Sequence, residues 1–132
     1  MLPLTFANLA ELDPLLEGFE SVPADAIPFI TLDTQKRFYL NASLRKLIGI
    51  QAHDRVSLAY RTEDRTLAIL TGRAAEAIPN TSYFVDKRHY MSARRFCAEY
   101  RYDVAQAPYT FVFQRAGSVE GLYFFKLTGV KV

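Results

Sequence analysis

The sequence is constrained most by an order of local patterns that it runs through twice. Each passage begins with two short apolar segments around a polar turn, continues with a segment of helical spacing, and ends in two apolar segments separated by turn residues. The first passage covers residues 29–71 and the second covers residues 82–128. Because side chains repeat every two residues in strands and every 3.6 in helices, this order predicts two strand, helix and hairpin units. The second is a divergent copy of the first.

In the first unit, residues 29–33 and 38–40 predict two strands around a polar turn. A helix is predicted over residues 42–48, because Asn41 can cap its start and Gly49 can supply the left-handed residue that ends it. The spacing of apolar residues therefore changes at Asn41, from the two-residue period of a strand to the 3.6-residue period of a helix.

The apolar residues of this predicted helix lie on one face. Leu44, Leu47 and Ile48 stand at positions i, i+3 and i+4, so we expect that face to be buried. Residues 56–60 then alternate between apolar and polar, and a returning strand around Leu67 completes a hairpin.

The second unit follows the same order with different residues. Residues 83–85 and 89–91 predict the two short strands, the latter matched to residues 38–40, and Ser92 stands as helix cap where Asn41 stands in the first unit. The remaining expected elements are a helix over residues 93–100 with Phe96, Cys97 and Tyr100 at helical spacing, strands over 109–113 and 122–127, and a turn over 114–121.

The N-terminal segment differs from these units. Asn8 with Glu11 fits a capping box for a short helix, which Pro14 either interrupts or restarts as a new turn. Residues 20–28 contain two prolines, which favour extended backbone. We expect an acidic, helical or extended strap over residues 1–28.

Taken together, the patterns predict a mainly β fold with short α-helices, of the α+β class, as a single domain over residues 1–132. A chain of 132 residues that is 50% hydrophobic suits one core rather than two.

Charge is distributed unevenly along the chain. Residues 1–33 hold six acidic residues and no lysine or arginine, whereas residues 34–132 hold all 16 basic residues and the other eight of the 14 acidic ones. Residues 34–132, called the body of the chain, have an excess of positive charge that attracts polyanions. The alternatives are that the acidic segment folds back and neutralises the body, or that the charges only solvate a surface.

The sequence favours a non-enzymatic protein without a cofactor or a metal site. It holds one cysteine, Cys97, and two separated histidines, which are too few for a zinc cluster. His53 beside Asp54, and His89 beside Arg88, have no activated serine or thiol partner in the pattern, so we expect no catalytic residue. Cys97 is expected to be a small buried residue.

Apolar runs of only a few residues, and an N-terminus without a basic start, predict neither a membrane span nor a signal peptide. A single cysteine agrees with a reducing compartment, so a cytoplasmic protein is expected. We also expect the aromatic residues of the second hairpin to pack in the core or a subunit contact rather than on nucleobases. These residues are Tyr109, Phe111, Phe113, Tyr123, Phe124 and Phe125.

The first unit resembles SpoVT/AbrB-type DNA-binding domains over about residues 31–70. Arg37, Leu44-Arg-Lys-Leu47, Gly49-Ile50 and Asp54-Arg-Val56 carry the resemblance. The sequence departs from the family pattern where Gln35-Lys36 replaces the usual glycine before the basic residue, Asn41 the frequent proline, and His53 the turn glycine. The resemblance implies a swapped-hairpin barrel, here with two copies in one polypeptide, as in MraZ-like proteins.

The resemblance also implies contact with duplex DNA, through basic residues near the two helices. Two such clusters related by a pseudo-twofold axis suit the symmetry of a duplex, with phosphates and guanine edges as targets. In the first unit the residues are Lys36, Arg37, Arg45, Lys46 and Arg55, and in comparable places of the second unit Lys87, Arg88, Arg94 and Arg95.

Two functions therefore stay open from the sequence. The first is a DNA-binding transcriptional regulator. The second is a non-enzymatic protein-interaction module, an inhibitor or adaptor, whose N-terminal segment could dock on a protein partner through Leu12, Leu15, Leu16 and Phe19. Whether the chain forms a homo-oligomer is also left open.

Overall fold

Residues 12–20, 27–78 and 82–128 are described by the computed structural model, and strands predominate among them. The strands are β1 Phe29–Leu32, β2 Arg37–Leu40, β3 Arg55–Arg61, β4 Thr66–Leu70, β5 Ser82–Phe84, β6 Tyr90–Ser92, β7 Tyr109–Val119 and β8 Leu122–Thr128. The α-helices are α1 Asp13–Leu16, α2 Ala42–Ile48 and α3 Arg94–Tyr100, and single 3₁₀ helices cover Gly72–Ala77 and Val104–Gln106. The predicted mainly β class with short helices is confirmed.

The eight strands form one antiparallel sheet in the order β5-β3-β4-β8-β7-β1-β2-β6, which curls into a nearly closed barrel. Its two end strands, β5 and β6, follow each other in the chain and do not pair as a ladder. Closing a sheet satisfies its edges, so among the described strands the unpaired edges lie at the seam between β5 and β6.

Strand pairing alternates between the two predicted units. Within the units, β1 pairs with β2, β3 with β4, and β7 with β8. Between the units, β1 pairs with β7, β2 with β6, β3 with β5, and β4 with β8. Neither unit therefore completes its own sheet.

Alternation along the strands builds the core. In β1, Ile30 and Leu32 are fully buried while their neighbours are only half-buried. Phe38, Phe111 and Phe125 are the largest fully buried side chains, each contributing roughly 1.5–3 kcal/mol by burial. The expected core role of the second hairpin is confirmed for Phe111 and Phe125, while Tyr109, Phe113 and Tyr123 are half-buried against the same cluster.

The first helix follows the prediction closely. Helix α2 spans Ala42–Ile48, the Asn41 side chain accepts a hydrogen bond from the backbone N–H of Leu44, and Gly49 ends the helix with φ of 80°. The expected buried face is only partly right, because Leu44 is fully buried but Leu47 is 44% exposed. A helix of seven residues covers only a small area of β1, so one edge of its apolar stripe stays outside.

The second helix begins later than predicted. Its N-cap residue is Ala93, without a capping side chain, and the proposed cap Ser92 instead belongs to β6, where it lies opposite Arg37. The hydrogen bonds of Asp33 and Asp86 and the left-handed backbone of Lys36 and His89 place Phe38 level with Met91, two residues from the predicted matching of residues 89–91 to 38–40. A two-residue shift reverses no side chain in a strand, so the strand alternation could not reveal the error.

Strand β7 runs through most of the predicted turn over residues 114–121, which is therefore wrong. It continues to Val119 with an irregular register after Gln114. The Ser118 hydroxyl fills the gap in the ladder, because it donates to the Gln114 carbonyl at 2.6 Å and accepts from the Phe124 N–H at 3.0 Å. A side chain thus replaces backbone pairing at the bulge.

Of the predicted N-terminal strap, only residues 12–20 and 27–28 are described. The helical part is Asp13–Leu16 with a proline in its first turn, so Pro14 starts a turn. The proposed capping box of Asn8 and Glu11 lies outside the described residues. In the described ranges, the helices are all too short and too polar to span a bilayer.

Candidate nucleic-acid interface

Two turns of the same construction flank the centre of the candidate site. The Oδ1 atom of Asp33 accepts hydrogen bonds from the N–H groups of Gln35 and Arg37 at 2.9 and 3.0 Å. In the second unit, Oδ1 of Asp86 accepts from the N–H groups of Arg88 and Tyr90 at 2.8 and 3.0 Å. The aspartates therefore fix both turns in the same way.

The strands that follow these turns lie side by side. Leu40 N–H donates to the His89 carbonyl at 3.1 Å, and Ala93 N–H donates to the Lys36 carbonyl at 2.8 Å. Lys36 and His89 both have left-handed backbone, with φ of 59° and 69°. These reciprocal contacts bring basic residues that are distant in sequence onto one surface.

The second carboxylate oxygen distinguishes the two turns. Oδ2 of Asp33 is bound by Arg37, whose Nε and Nη2 both lie 2.9 Å away. The residue in the corresponding place of the second turn is Tyr90, which has no guanidinium group. Among the described residues, no hydrogen bond reaches Oδ2 of Asp86.

The Arg37 guanidinium also contacts the neighbouring strand. Its central carbon lies 4.1 Å from the centroid of the Tyr90 ring, and the Tyr39 ring lies 5.2 Å from the same ring. Arg37 is thus held by a carboxylate and an aromatic face together.

Two adjacent cavities, of about 500 and 550 Å³, open on the outer surface around β6 and share Asp86, Tyr90 and Ser92. We call them together the basic cleft. Its walls carry five cationic side chains and one carboxylate. The cations are Lys36, Arg37, Arg55, Arg94 and Arg95.

The first of these cavities lies at the seam. Ser82 and Phe84 of β5 line one side, and Tyr90 and Ser92 of β6 line the other. Arg55 stands over Phe84, with its guanidinium carbon 5.5 Å from the ring centroid, and its Nη1 lies 3.4 Å from the Ser82 hydroxyl.

Asp86 keeps its negative charge within this cationic surface. Partial desolvation opposes the charged form, but the backbone hydrogen bonds from Tyr90 and Arg88, and the positive charges of Arg37 and Arg88, lower the pKa of Asp86 below its usual value. The cleft therefore combines a cationic rim with one anionic acceptor.

Five of the nine predicted DNA-binding residues line the basic cleft, and four do not. Lys46, Lys87 and Arg88 are exposed outside its lining. Arg45 has a structural contact, because its Nε donates to the Leu40 carbonyl at 3.2 Å and its Nη1 lies 3.1 Å from Nε2 of His89. A guanidinium can only donate, so the His89 nitrogen accepts and α2 is tied to the second turn.

The two helices do not present their basic residues at comparable places. Arg45 and Lys46 lie in the last turn of α2, whereas Arg94 and Arg95 begin α3. The expected pseudo-twofold match of these pairs is therefore wrong, since Arg45 and Lys46 are the fourth and fifth residues of α2 and Arg94 and Arg95 are the first two residues of α3.

Sequence reasoning missed the non-basic residues of the cleft, namely Phe84, Asp86, Tyr90 and Ser92. A signal was available in the sequence, because Asp33 and Asp86 each follow an apolar segment and open a polar, basic turn. Aligning the two units on these aspartates, instead of on the helix caps, places Lys36 level with His89. These are the two turn residues with left-handed backbone.

The other reactive groups lie elsewhere. Cys97 is buried, and burial raises the pKa of its thiol, which favours the unreactive form. In the described ranges, no group of three or more histidine, cysteine or acidic side chains is placed to hold a metal ion.

Comparison with known proteins finds no matching family model, curated protein or solved structure.

Proposed function

We propose that this chain is a DNA-binding regulator whose basic cleft contacts the phosphate backbone of duplex DNA. The observation that carries the proposal is a concentration of cations without carboxylate partners. No carboxylate of a described residue lies within ion-pair distance of Lys36, Arg94 or Arg95. Unpaired cations on one surface repel one another, and a polyanion relieves that repulsion.

The cations also come from several elements that the fold brings together. Lys36 precedes β2, Arg55 begins β3, and Arg94 and Arg95 begin α3. Two arginines in the first turn of α3 oppose the helix dipole, which costs about 0.3–1 kcal/mol each. A bound anion would offset this cost, so the arrangement supports the proposal.

We extend the proposal to an AbrB-like, swapped-hairpin architecture that arose by duplication. Two observations support it. The hairpin β3–β4 pairs with β5 and β8 of the other unit, and the hairpin β7–β8 pairs with β1 and β4, which is the interleaving that such a barrel requires. The matching hydrogen bonds of Asp33 and Asp86 are what two copies of one ancestral turn would retain.

The test is binding to mixed-sequence duplex DNA, followed by fluorescence anisotropy across a range of salt concentrations. We expect saturable binding that weakens steeply with salt. For the double variant Lys36→Gln with Arg94→Gln, we expect the slope of log affinity against log salt to fall by about 2, because two phosphate contacts are lost.

The control is Arg73→Gln with Lys126→Gln, which removes the same charge at exposed positions outside the cleft. Its slope should stay near that of the unchanged chain. Equal losses in both double variants would show that only net charge matters, and absence of duplex binding would overturn the proposal.

A second candidate, a protein-interaction module, is favoured by one observation. Leu15 and Leu16 of α1, and Phe19 three residues beyond it, are 60%, 55% and 77% exposed. Exposed apolar clusters of this kind mark protein contacts. Failure to bind DNA, with or without residues 1–26, together with capture of one stoichiometric protein partner that depends on Leu16 and Phe19, would favour this function.

A further inference from the structure

We infer that the seam of the basic cleft accepts an unpaired nucleobase that carries an exocyclic amine, so that the chain binds single-stranded DNA with a preference among bases. The inference rests on the proposed function, since it assigns a ligand to the same cleft. Three features of the seam lead to it: an opening between strands, an exposed aromatic platform and a hydrogen-bond acceptor.

The opening is specific to one of two equivalent places. In the first unit, β1 and β2 close on each other through three residue pairs, including Thr31 opposite Tyr39. In the second unit, β5 and β6 flank a turn of the same construction but do not pair as a ladder, and the cavity of about 500 Å³ lies between them. This volume is large enough for a nucleotide.

The platform is Phe84. Its side chain points outward on β5 and is 44% exposed, whereas phenylalanine side chains are usually buried. Arg55 lies over the ring and the His53 ring lies 5.7 Å from it, so the side chain is held in place beside the opening. A rigid, exposed ring beside cations is the arrangement on which bases of single-stranded nucleic acid stack.

The acceptor is Oδ2 of Asp86. Its partner atom Oδ1 is fixed by two backbone N–H groups, so the orientation of the carboxylate is set before a ligand binds. Oδ2 receives no hydrogen bond from a described residue, whereas Arg37 satisfies the equivalent oxygen of Asp33. A carboxylate accepts from the N4 amine of cytosine but faces a carbonyl oxygen at the same place of thymine.

The surrounding cations can then hold the sugar–phosphate backbone. Arg95 lines the same cavity as Phe84 and Asp86, and Arg94 lines the adjoining one. The carboxylate of Asp86 opposes binding of a bare anion, whereas a nucleotide offers phosphates to these cations and an N–H donor to the carboxylate.

The experiment compares binding of the full chain to oligo(dC), oligo(dT) and mixed duplex DNA by fluorescence anisotropy at one salt concentration. We expect oligo(dC) to bind about fivefold more tightly than oligo(dT), because only cytosine offers an amine to Asp86. The two homopolymers have the same backbone charge and ring size, so phosphate contacts alone predict no difference.

Two variants separate the contributions. Phe84→Leu should weaken oligo(dC) binding about tenfold through loss of stacking, and weaken duplex binding much less, because the cations that contact phosphates are kept. Asp86→Asn keeps an oxygen for the backbone hydrogen bonds but can turn an N–H₂ group towards the base, so it should abolish the preference for oligo(dC). Val119→Ala and Asp103→Asn, at exposed positions outside the cleft, should change neither result.

The outcomes distinguish this inference from the proposed function. Salt-sensitive duplex binding with equal affinity for oligo(dC) and oligo(dT) would overturn the inference and leave the proposed function standing. A preference for oligo(dC) that depends on Asp86, without duplex binding, would support the inference and overturn duplex DNA as the ligand. Thermal unfolding of each variant shows whether the fold is intact, and the comparison of homopolymers on the unchanged chain needs no variant.

Discussion

Asn41 joins three backbone groups with one buried amide. Its Oδ1 accepts from the N–H groups of Leu44 and Phe29, both at 3.0 Å, and its Nδ2 donates to the Ile27 carbonyl at 2.9 Å. The side chain is only 5% exposed. Asn41, which the sequence predicts as a helix cap, therefore also holds the backbone at the start of β1.

For Asn41→Ala we expect a loss of about 2–4 kcal/mol in the free energy of unfolding, because a cap is lost and buried backbone groups lose partners. Urea denaturation monitored by circular dichroism measures this. Asp103→Ala, which removes an exposed cap of the second 3₁₀ helix, should cost less than about 1 kcal/mol. Equal losses in the two variants would show that the contacts of Asn41 with β1 carry no weight.

Asp86 gives a prediction for acid stability. Its pKa is lowered in the folded chain, so its charge stabilises the fold at neutral pH, and that contribution is lost as the pH falls from the ordinary aspartate range through the folded-state pKa. In Asp86→Asn we expect a smaller loss of stability between neutral pH and about pH 3 than in the unchanged chain. Urea midpoints across this range provide the measurement. An equal decrease of the midpoint with falling pH in the two proteins would contradict the expectation.

At this scale, the sequence predicts roles that depend on near neighbours. Asn41 as a cap and Gly49 as a helix end follow from residues within one turn, and both predictions are confirmed. The contacts of Arg45 with His89 and of Asn41 with Ile27 depend on segments that only the folded sheet brings together. Patterns along a single chain do not contain that information.

The two seven-residue helices show how an element depends on its ends. Helix α2 has a capping side chain and two basic residues in its last turn, which complement the helix dipole. Helix α3 has neither, and two arginines stand in its first turn instead. The fold must therefore hold α3 largely through the burial of Phe96 and Cys97.

This contrast predicts opposite effects of the same charge change. Arg94→Gln removes an unfavourable charge and should raise the free energy of unfolding by about 0.3–1 kcal/mol, whereas Lys46→Gln should lower it by a similar amount. DNA affinity should fall in Arg94→Gln more than in Lys46→Gln, since only Arg94 lines the cleft. Thermal unfolding and anisotropy measure the two quantities, and a stability loss in both variants would show that Arg94 supports the fold.

Most elements could be predicted from the sequence to within a residue or two, because turn residues and a change of period bound them. The exceptions have local physical causes. Strand β7 passes through the predicted turn because the Ser118 hydroxyl substitutes for a ladder partner. Ser92 is a residue type that commonly caps helices, but here it is the last residue of β6. Helix α3 begins after it without a capping side chain.

For the molecule as a whole, the class of fold could be predicted but the order of the strands could not. Every pairing between the units joins residues far apart in sequence, such as Phe29 with Val112. The open seam between β5 and β6, on which the candidate site depends, is a consequence of that order. The basic residues were predictable from charge, whereas their convergence with Phe84 and Asp86 was not.

The acidic N-terminal segment makes the last prediction, since it acts on the charge of the entire molecule. Residues 1–26 carry five acidic and no basic residues, so their removal raises the net charge from +2 to +7. If this segment competes electrostatically with DNA, the chain that begins at Ile27 should bind duplex DNA more tightly and with a steeper salt dependence.

Anisotropy titrations of both chains across a salt series measure the effect, and circular dichroism shows whether the shortened chain keeps its fold. The matched control is a full-length chain in which Glu11, Asp13, Glu17, Glu20 and Asp25 are changed to the corresponding amides, which removes the charge and keeps the segment. Tighter binding by both would assign the competition to charge, and tighter binding by the shortened chain alone would assign it to steric cover of the cleft. Unchanged affinity and slope in both would leave the segment, with its exposed Leu16 and Phe19, as a surface for protein contact.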